Sequence, residues 1–445
     1  MSSNSSSSSS SSSKRKNICS RILTPKQVGP ICWFMATFVA MFYSQRSRKI
    51  LLEASKNWDT DDELFDLLKK ILHDKYLKTA SRVSEDYRNF SDDTFQNVLY
   101  LLHNKNPKSF PYDPFRVISG FRSMFYIGRL YKLLNIDYKI FDYCYTIDSG
   151  IYTYMLAYSN LNEELEYYDY RIDEKGTLIT EINSKKKNIK YKENNVAPTI
   201  LLLAVYDTIT EYEKNYTKRQ HLPSNIISVG DEDILQNEKN AKRYIEGNTD
   251  NLKSMRDTIY YNGFEYNLDS AILVNWNTYK RINVHEIVGI TCERDKYVYN
   301  GWVRSSMDPV MAKQAITRKI PCELMKYDWN IQKDNDFCLN IKKCIPEVLK
   351  GFLSKGSLCF NFSNGEKMLV YVREEIENKI KGLLHSNKRG QQKIISKITD
   401  IKYIESIIKK LLLTSYSIKK SELLWLLVKR EEELQRKKRF QDLQT

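Results

Sequence analysis

The chain has 445 residues, 42% of them hydrophobic and 28% charged, and it carries a formal net charge of +15. That balance excludes wholesale disorder and supports a sizeable core in two or three domains, or one large domain with appendages. The surplus of cations favours acidic partners: nucleic acid, an anionic membrane face or an acidic protein. The eight cysteines include no C-x-x-C pair, which removes the main support for zinc ribbons and thioredoxin-type chemistry. They are also too sparse for a disulfide-stapled scaffold, so a reducing, cytoplasmic setting is the default expectation.

Residues 1–24 open with the serine run Ser5 to Ser13 and the triplet Lys14-Arg15-Lys16, a composition that predicts a disordered lead. From Ile31 the pattern turns helical. Phe34, Phe38, Met41 and Phe42 share a face, and Arg46, Arg48 and Lys49 close the last turn. The apolar run Ile31 to Tyr43 is too short, at about 1.5 Å per residue, to span a bilayer core of about 30 Å. A long polar lead and the lack of a small-x-small site argue against a signal peptide, so a soluble protein with no membrane span is expected. Further amphipathic helices are predicted near Glu63 to Leu77 and Phe115 to Leu134.

After Tyr138 the period shortens. Strands are predicted at Tyr138 to Asp142, Tyr152 to Tyr158, Glu166 to Arg171 and Lys190-Tyr191. The apolar run Pro198 to Tyr206 reads as a buried central strand. Residues 211–255 are polar and read as a loop or insertion. Strands follow at Thr258 to Tyr261, Glu265 to Leu268, Ala271 to Trp276, His285 to Cys292 and Tyr297 to Tyr299. Helices first and sheet second is an α+β order. Residues 312–375 are mixed in character, and 395–440 read as helix. Residues 401–445 hold 11 Lys and Arg against 6 Asp and Glu, so the end is either a nucleic-acid or virion contact or a solvated helix packed through its leucines.

Three segments carry candidate chemistry. Cys32 sits where a loop gives way to an apolar helix, and unpaired N–H groups at a helix N-terminus stabilise a thiolate. Gln27, five positions earlier, can place an amide N–H beside the backbone N–H of Cys32 to form an oxyanion hole. His285 opens an apolar strand, and Asn300 ends the next one. Antiparallel pairing would bring Asn300 to the imidazole and fix its tautomer, with Trp302 as a shield. Each piece alone has a plainer reading: a buried thiol, a core or surface histidine, an Asn-Gly turn. Their joint order, Gln, Cys, His, Asn, points to a thiol hydrolase. Asp61-Asp62-Glu63 reads as a helix N-terminal charge cluster, and no metal site or cofactor is expected.

The segment CWFMATFVAMFYSQRSRKILL resembles the cysteine box of the ubiquitin-specific proteases, within the papain-like cysteine peptidases. Gln27 and Gly29 stand five and three before Cys32, Trp33 follows it, and a helix ends in Arg48-Lys49. PTILLLAVYD resembles the family's proline-led buried strand, and YNLDSAILV its Tyr-x-Leu strand. HEIVGIT with YVYNGW resembles the histidine strand and its Asn-x-Trp partner. The similarity spans about residues 25–305. It implies a papain-like fold with a helical lobe and an antiparallel sheet lobe, bounded as a catalytic domain at 25–311 and followed by an α-rich basic extension at 312–445. It implies Cys32 as nucleophile, His285 as base, Asn300 as orienting residue, Gln27 as oxyanion donor, and Trp33 and Trp302 beside the substrate. The implied partner is ubiquitin, a ubiquitin-like modifier or another protein substrate. The chain departs from the family in having Gln at 27, Met at 35, no glycine before His285 and no zinc-binding cysteine pairs. A catalytically decayed peptidase fold serving as a basic structural protein is the alternative. The Lys-, Ile-, Asn- and Tyr-rich style suits a large DNA virus or a parasite, hence host cytoplasm or virion.

Overall fold

A computed structural model describes residues 31–73, 94–114, 123–141, 153–159, 165–172, 177–182, 197–205, 256–274, 285–293, 295–301, 324–333, 336–340, 345–346, 359–363, 367–413 and 418–443. The serine-rich lead, the strand expected at Lys190-Tyr191 and the polar stretch 211–255 lie outside these residues.

Helix α1 (Cys32–Phe42) is enclosed on all sides: Trp33 through Phe42 are all buried. It is therefore a core helix and not an amphipathic one. Its aromatics hold it in place. Trp33 meets Phe34, Tyr112 and Tyr126 edge-on, and Phe38 stacks on Phe42 at 4.0 Å while meeting Phe95 edge-on. The helix expected to run on to Lys49 stops at Phe42. The chain turns through Tyr43 and Ser44 and starts α2 (Gln45–Ala54).

The start of α2 has no side-chain cap of its own. A strand carboxylate supplies one instead: Asp269, fully buried, accepts from the N–H groups of Arg46 at 2.9 Å and Ser47 at 2.8 Å. The Thr291 hydroxyl donates to the same carboxylate at 2.7 Å, and the Ser44 hydroxyl donates to the Asp269 carbonyl at 2.6 Å. An anion is favoured at a helix N-terminus, so this cluster ties the α1–α2 corner to the sheet.

Helix α3 (Glu63–Leu72) begins at Asp62, whose carboxylate caps it by accepting from the Leu64 N–H, as the acidic cluster there suggested. It ends at Leu72, five residues short of the expected limit, and 74–77 lie outside the described residues. Helix α4 (Thr94–Lys105) was not anticipated, although Phe95, Val98, Leu99 and Leu102 carry the helical period. Helix α5 (Ser123–Leu133) is the described part of the helix expected from Phe115.

The strands are β1 (Tyr138–Phe141), β2 (Thr153–Ser159), β3 (Leu165–Ile172), β4 (Leu178–Ile182), β5 (Ile200–Val205), β6 (Thr258–Tyr261), β7 (Phe264–Val274), β8 (Glu286–Cys292), β9 (Asp295–Tyr299), β10 (Met325–Lys326), β11 (Asp336–Asn340), β12 (Ile345–Pro346), β13 (Cys359–Asn361) and β14 (Lys367–Arg373). Eleven form one sheet in the order β10-β9-β8-β7-β14-β5-β1-β2-β3-β4, with β6 paired to β7. All described pairs in it are antiparallel except β1 with β5. A single parallel bridge, Thr177 to Tyr260, links the β4 end back to β6. The β6–β7 hairpin turns on Asn262-Gly263, both at positive φ, the chemistry a two-residue turn requires. Strand β7 joins what the sequence divides into two strands. Cys292, at the end of β8, is disulfide-bonded, a cross-link that the sparse cysteine spacing did not foretell.

The sheet is buried on both faces where α1 crosses it. Ile200, Leu202, Ile272, Val288, Ile290, Tyr297, Tyr299 and Val370 share a core with α1, α3, α4 and α5. Leu201, Leu203, Leu273, Ile287, Val298, Leu369 and Tyr371 share the opposite core with Trp329, Phe337, Phe360 and Phe362. The continuous apolar run at 200–203 follows from that double burial.

The division expected at residue 311 does not hold. β14 lies between β7 and β5 and pairs with both, so the sheet incorporates residues up to 373. Only then does the chain become helical: α6 (Ile376–His385), α7 (Lys388–Ile395), α8 (Ile401–Leu412) and α9 (Ile418–Asp442). These helices pack through Leu383, Ile404, Ile407, Leu411, Leu423 and Leu427, with Tyr260 of the sheet at their base. No helix among the described residues is long and apolar enough to cross a membrane.

Candidate active site

Two of the sequence-derived candidates, His285 and Asn300, are hydrogen-bonded to each other beside β8 and β9, and the third, Cys32, lies by the same stretch of strand at Glu286. β8 and β9 pair antiparallel with Val288 opposite Tyr299 and Gly289 opposite Val298. Continuing that register puts Asn300 and His285 on one face as diagonal neighbours, within reach of each other. His285 Nε2 donates to Asn300 Oδ1 at 2.6 Å, and both residues are 3% exposed. The amide oxygen only accepts, so the proton sits on Nε2 and the basic lone pair of the neutral ring is on Nδ1. Phe360 meets the imidazole edge-on at 6.2 Å between centroids and belongs to the second core. Burial lowers the His285 pKa to about 4, against a partial offset from the Asn300 hydrogen bond, so the ring is neutral at physiological pH.

Cys32 opens α1 and is partly exposed. Its sulfur accepts from the backbone N–H of Glu286, which belongs to the peptide that joins Glu286 to His285. The N–H groups of Trp33 and Cys32 also point at the sulfur, as the helix N-terminus predicts. These donors favour a thiolate but do not prevail. Loss of solvent around the sulfur, with the Glu286 carboxylate adding to it, raises the thiol to about 12. The expectation of a helix-activated thiolate is therefore corrected: in this state the thiol is protonated, because desolvation outweighs three peptide dipoles.

Trp33 does not face a cleft. It is fully buried among Phe34, Tyr112 and Tyr126, so its role is to seat α1 and not to wall a substrate. Gln27 and Trp302 lie outside the described residues. Among the described residues no group of His, Cys, Asp and Glu has the arrangement of a metal site.

Sequence reasoning missed Glu286. It is 3% exposed, and its Oε1 accepts from the Ser123 N–H at 3.4 Å where α5 begins. The signal was present: in HEIVGITC a carboxylate occupies the parity of Val288 and Ile290, the residues that face the helices.

No protein-family profile matches the chain, and no curated protein matches it. Among solved structures, a chain of the SAGA DUB module Ubp8/Sgf11/Sus1/Sgf73 bound to monoubiquitin is similar at 10% identity and a TM-score of 0.33, over 81% of this chain and 70% of that one. A chain of the Ubp8-Sgf11-Sgf73-Sus1 SAGA DUB module is similar at 8% identity and a TM-score of 0.30, over 80% and 69%. The protein is thus a mixed α+β chain with a mostly antiparallel sheet and a distant structural similarity to that module.

Proposed function

We propose that this chain is a papain-like, thiol-dependent hydrolase that cleaves peptide or isopeptide bonds, with ubiquitin or a ubiquitin-like modifier as its substrate. Cys32 is the nucleophile, His285 the base, Asn300 the residue that orients the ring, and Gln27 with the Cys32 N–H the oxyanion donors. The observation that carries the reading is the 2.6 Å bond from His285 Nε2 to Asn300 Oδ1, with the Cys32 sulfur held by the next peptide along the same strand. A buried amide behind an imidazole selects one tautomer and leaves the other ring nitrogen as the base, as the proposed role requires.

The chemistry is self-contained. The Cys32 sulfur bonds to the substrate carbonyl carbon as its proton passes to His285. The imidazolium returns that proton to the leaving amine, and water then hydrolyses the thioester through the same base. Because the thiol and the imidazole are both neutral at rest, proton transfer accompanies attack instead of preceding it. The choice of a ubiquitin-type substrate rests on the cysteine box and histidine strand read in the sequence.

A ubiquitin carrying a C-terminal electrophile tests this directly. The wild-type chain becomes covalently labelled, Cys32→Ala does not, and Asn300→Ala labels far more slowly. A folded wild-type chain that stays unlabelled removes the modifier as substrate. A second reading, a decayed peptidase serving as a basic scaffold, is favoured by the raised Cys32 thiol and the +15 charge. It predicts no labelling together with nucleic-acid affinity that falls steeply with salt.

A further inference from the structure

The last helix carries apolar residues on two opposite faces. Leu423, Leu427 and Leu434 of α9 are buried in the core that the four C-terminal helices share. Trp425, Val428, Phe440 and, just past the helix, Leu443 are exposed, at 54%, 38%, 63% and 85%. Among the described residues eight large hydrophobic side chains are exposed, and six of them fall between Leu412 and Leu443. Scattered singly, such residues need no explanation; gathered on one helical hairpin, they mark an interaction surface. At 3.6 residues per turn, Trp425, Val428, Glu432, Arg436, Phe440 and Leu443 follow one another along a single stripe about 27 Å long, opposite the buried leucines. The Lys429 ammonium sits 3.9 Å from the Trp425 ring centre and still leaves half of that side chain open.

The charges within the stripe select its occupant. Glu432 and Arg436 stand at its middle, 3.9 Å apart, with side chains 60% and 78% exposed. A lipid surface would have to take Glu432 into the centre of its contact, and a nucleic acid would meet the acidic run Glu431-Glu432-Glu433. A second copy of the chain meets neither objection. Laid antiparallel about a two-fold axis level with Leu434, it sets Trp425 opposite Leu443, Val428 opposite Phe440 and Glu432 opposite Arg436, each pairing occurring twice. We propose that this stripe is the docking surface for a second copy of the chain, through antiparallel pairing of the two α9 helices. The apolar pairs drive association, and the two Glu432–Arg436 pairs set register and direction. This goes beyond the hydrolase reading and does not depend on it.

Sedimentation velocity of the intact chain, over about a hundredfold range of concentration, tests it. The wild type shifts from monomer to dimer as concentration rises, and Phe440→Asp stays monomeric. Glu432→Arg and Arg436→Glu, each alone, set like charges opposite one another twice and weaken self-association about tenfold or more. Both side chains are exposed and the pair within one helix contributes little, so these variants keep the fold, which circular dichroism checks. The double variant, with both charges exchanged, restores the dimer. A wild type that stays monomeric throughout overturns the proposal. So does a dimer indifferent to either single reversal, or one that the double exchange fails to restore. A monomeric wild type that instead binds anionic phospholipid vesicles or single-stranded RNA assigns the stripe to that partner and overturns it equally.

Discussion

Two carboxylates, one within the sheet and one on the last helix, do similar geometric work in very different surroundings. Asp269, inside the sheet–helix interface, accepts two main-chain N–H groups and a hydroxyl with no access to solvent. Glu433, on the outer face of α9, accepts from Arg430 at 2.8 Å and pairs with Lys437 at 2.8 Å while half of it faces water. In their bonding alone the two look alike. Their energetic weights differ because water can replace the partners of Glu433 and cannot reach those of Asp269.

The sharpest way to break the comparison is Asp269→Ala. It strands the first amides of α2 in the interior and loosens the α1–α2 corner, at the opposite end of α1 from Cys32. We expect a loss of about 3–4 kcal/mol, read as a drop in the urea midpoint, and a loss smaller than about 1 kcal/mol would show that the cap carries little weight. The second test uses pH. Between 6.5 and about 4 the unfolded chain binds a proton at residue 285 that the folded chain refuses. Stability therefore falls as pH drops through that window, by up to about 3 kcal/mol. His285→Gln should lose less on acidification than wild type, since the carboxylates contribute alike to both; equal losses would refute the idea.

The third expectation concerns Gly289. A Cβ there would lie 2.6 Å from Phe362 Cε1 and 2.8 Å from Trp329 Cε2, and neither ring has room to retreat. Gly289→Ala should cost about 2 kcal/mol by overpacking and disturb the strand that carries His285, visible as a lower melting temperature. The smallest effect belongs to the exposed pair. Hydrogen bonds from Lys437 and Arg430 lower the Glu433 carboxyl to about 2, so its contribution is present at neutral pH and fades below about 4.5. With so much solvent around it, Glu433→Gln should change stability by only about 0.5 kcal/mol or less. A loss near that of Asp269→Ala would make the two carboxylates equivalent and solvent access irrelevant.

The sequence made some of this legible. The run at 200–203 read as a buried central strand because both its faces are apolar. His285 and Asn300 could be paired in advance because a tight turn between two alternating strands leaves few registers. The break between α1 and α2 was not legible: the cap that allows it comes from Asp269, more than 200 residues away, and local pattern carries no trace of a distant carboxylate. The protonation of Cys32 was misjudged for the same kind of reason. The donors that favour a thiolate are local, whereas the desolvation that opposes it comes from tertiary packing and from Glu286. The boundary at 311 failed because β14 is short and looks like one more mixed segment until its neighbours are known.

That late strand has a consequence for how the chain is made. β7 and β5 each lack their shared neighbour until residues 367–373 emerge, and apart from the Thr177–Tyr260 bridge no other described main-chain link joins the two halves of the sheet. At about 5–20 residues per second, translation leaves two sticky, half-finished edges waiting behind the ribosome for many seconds. A message cut short before codon 367 would therefore yield not a smaller folded protein but an aggregation hazard, and a nascent chain should depend most on chaperones in that interval.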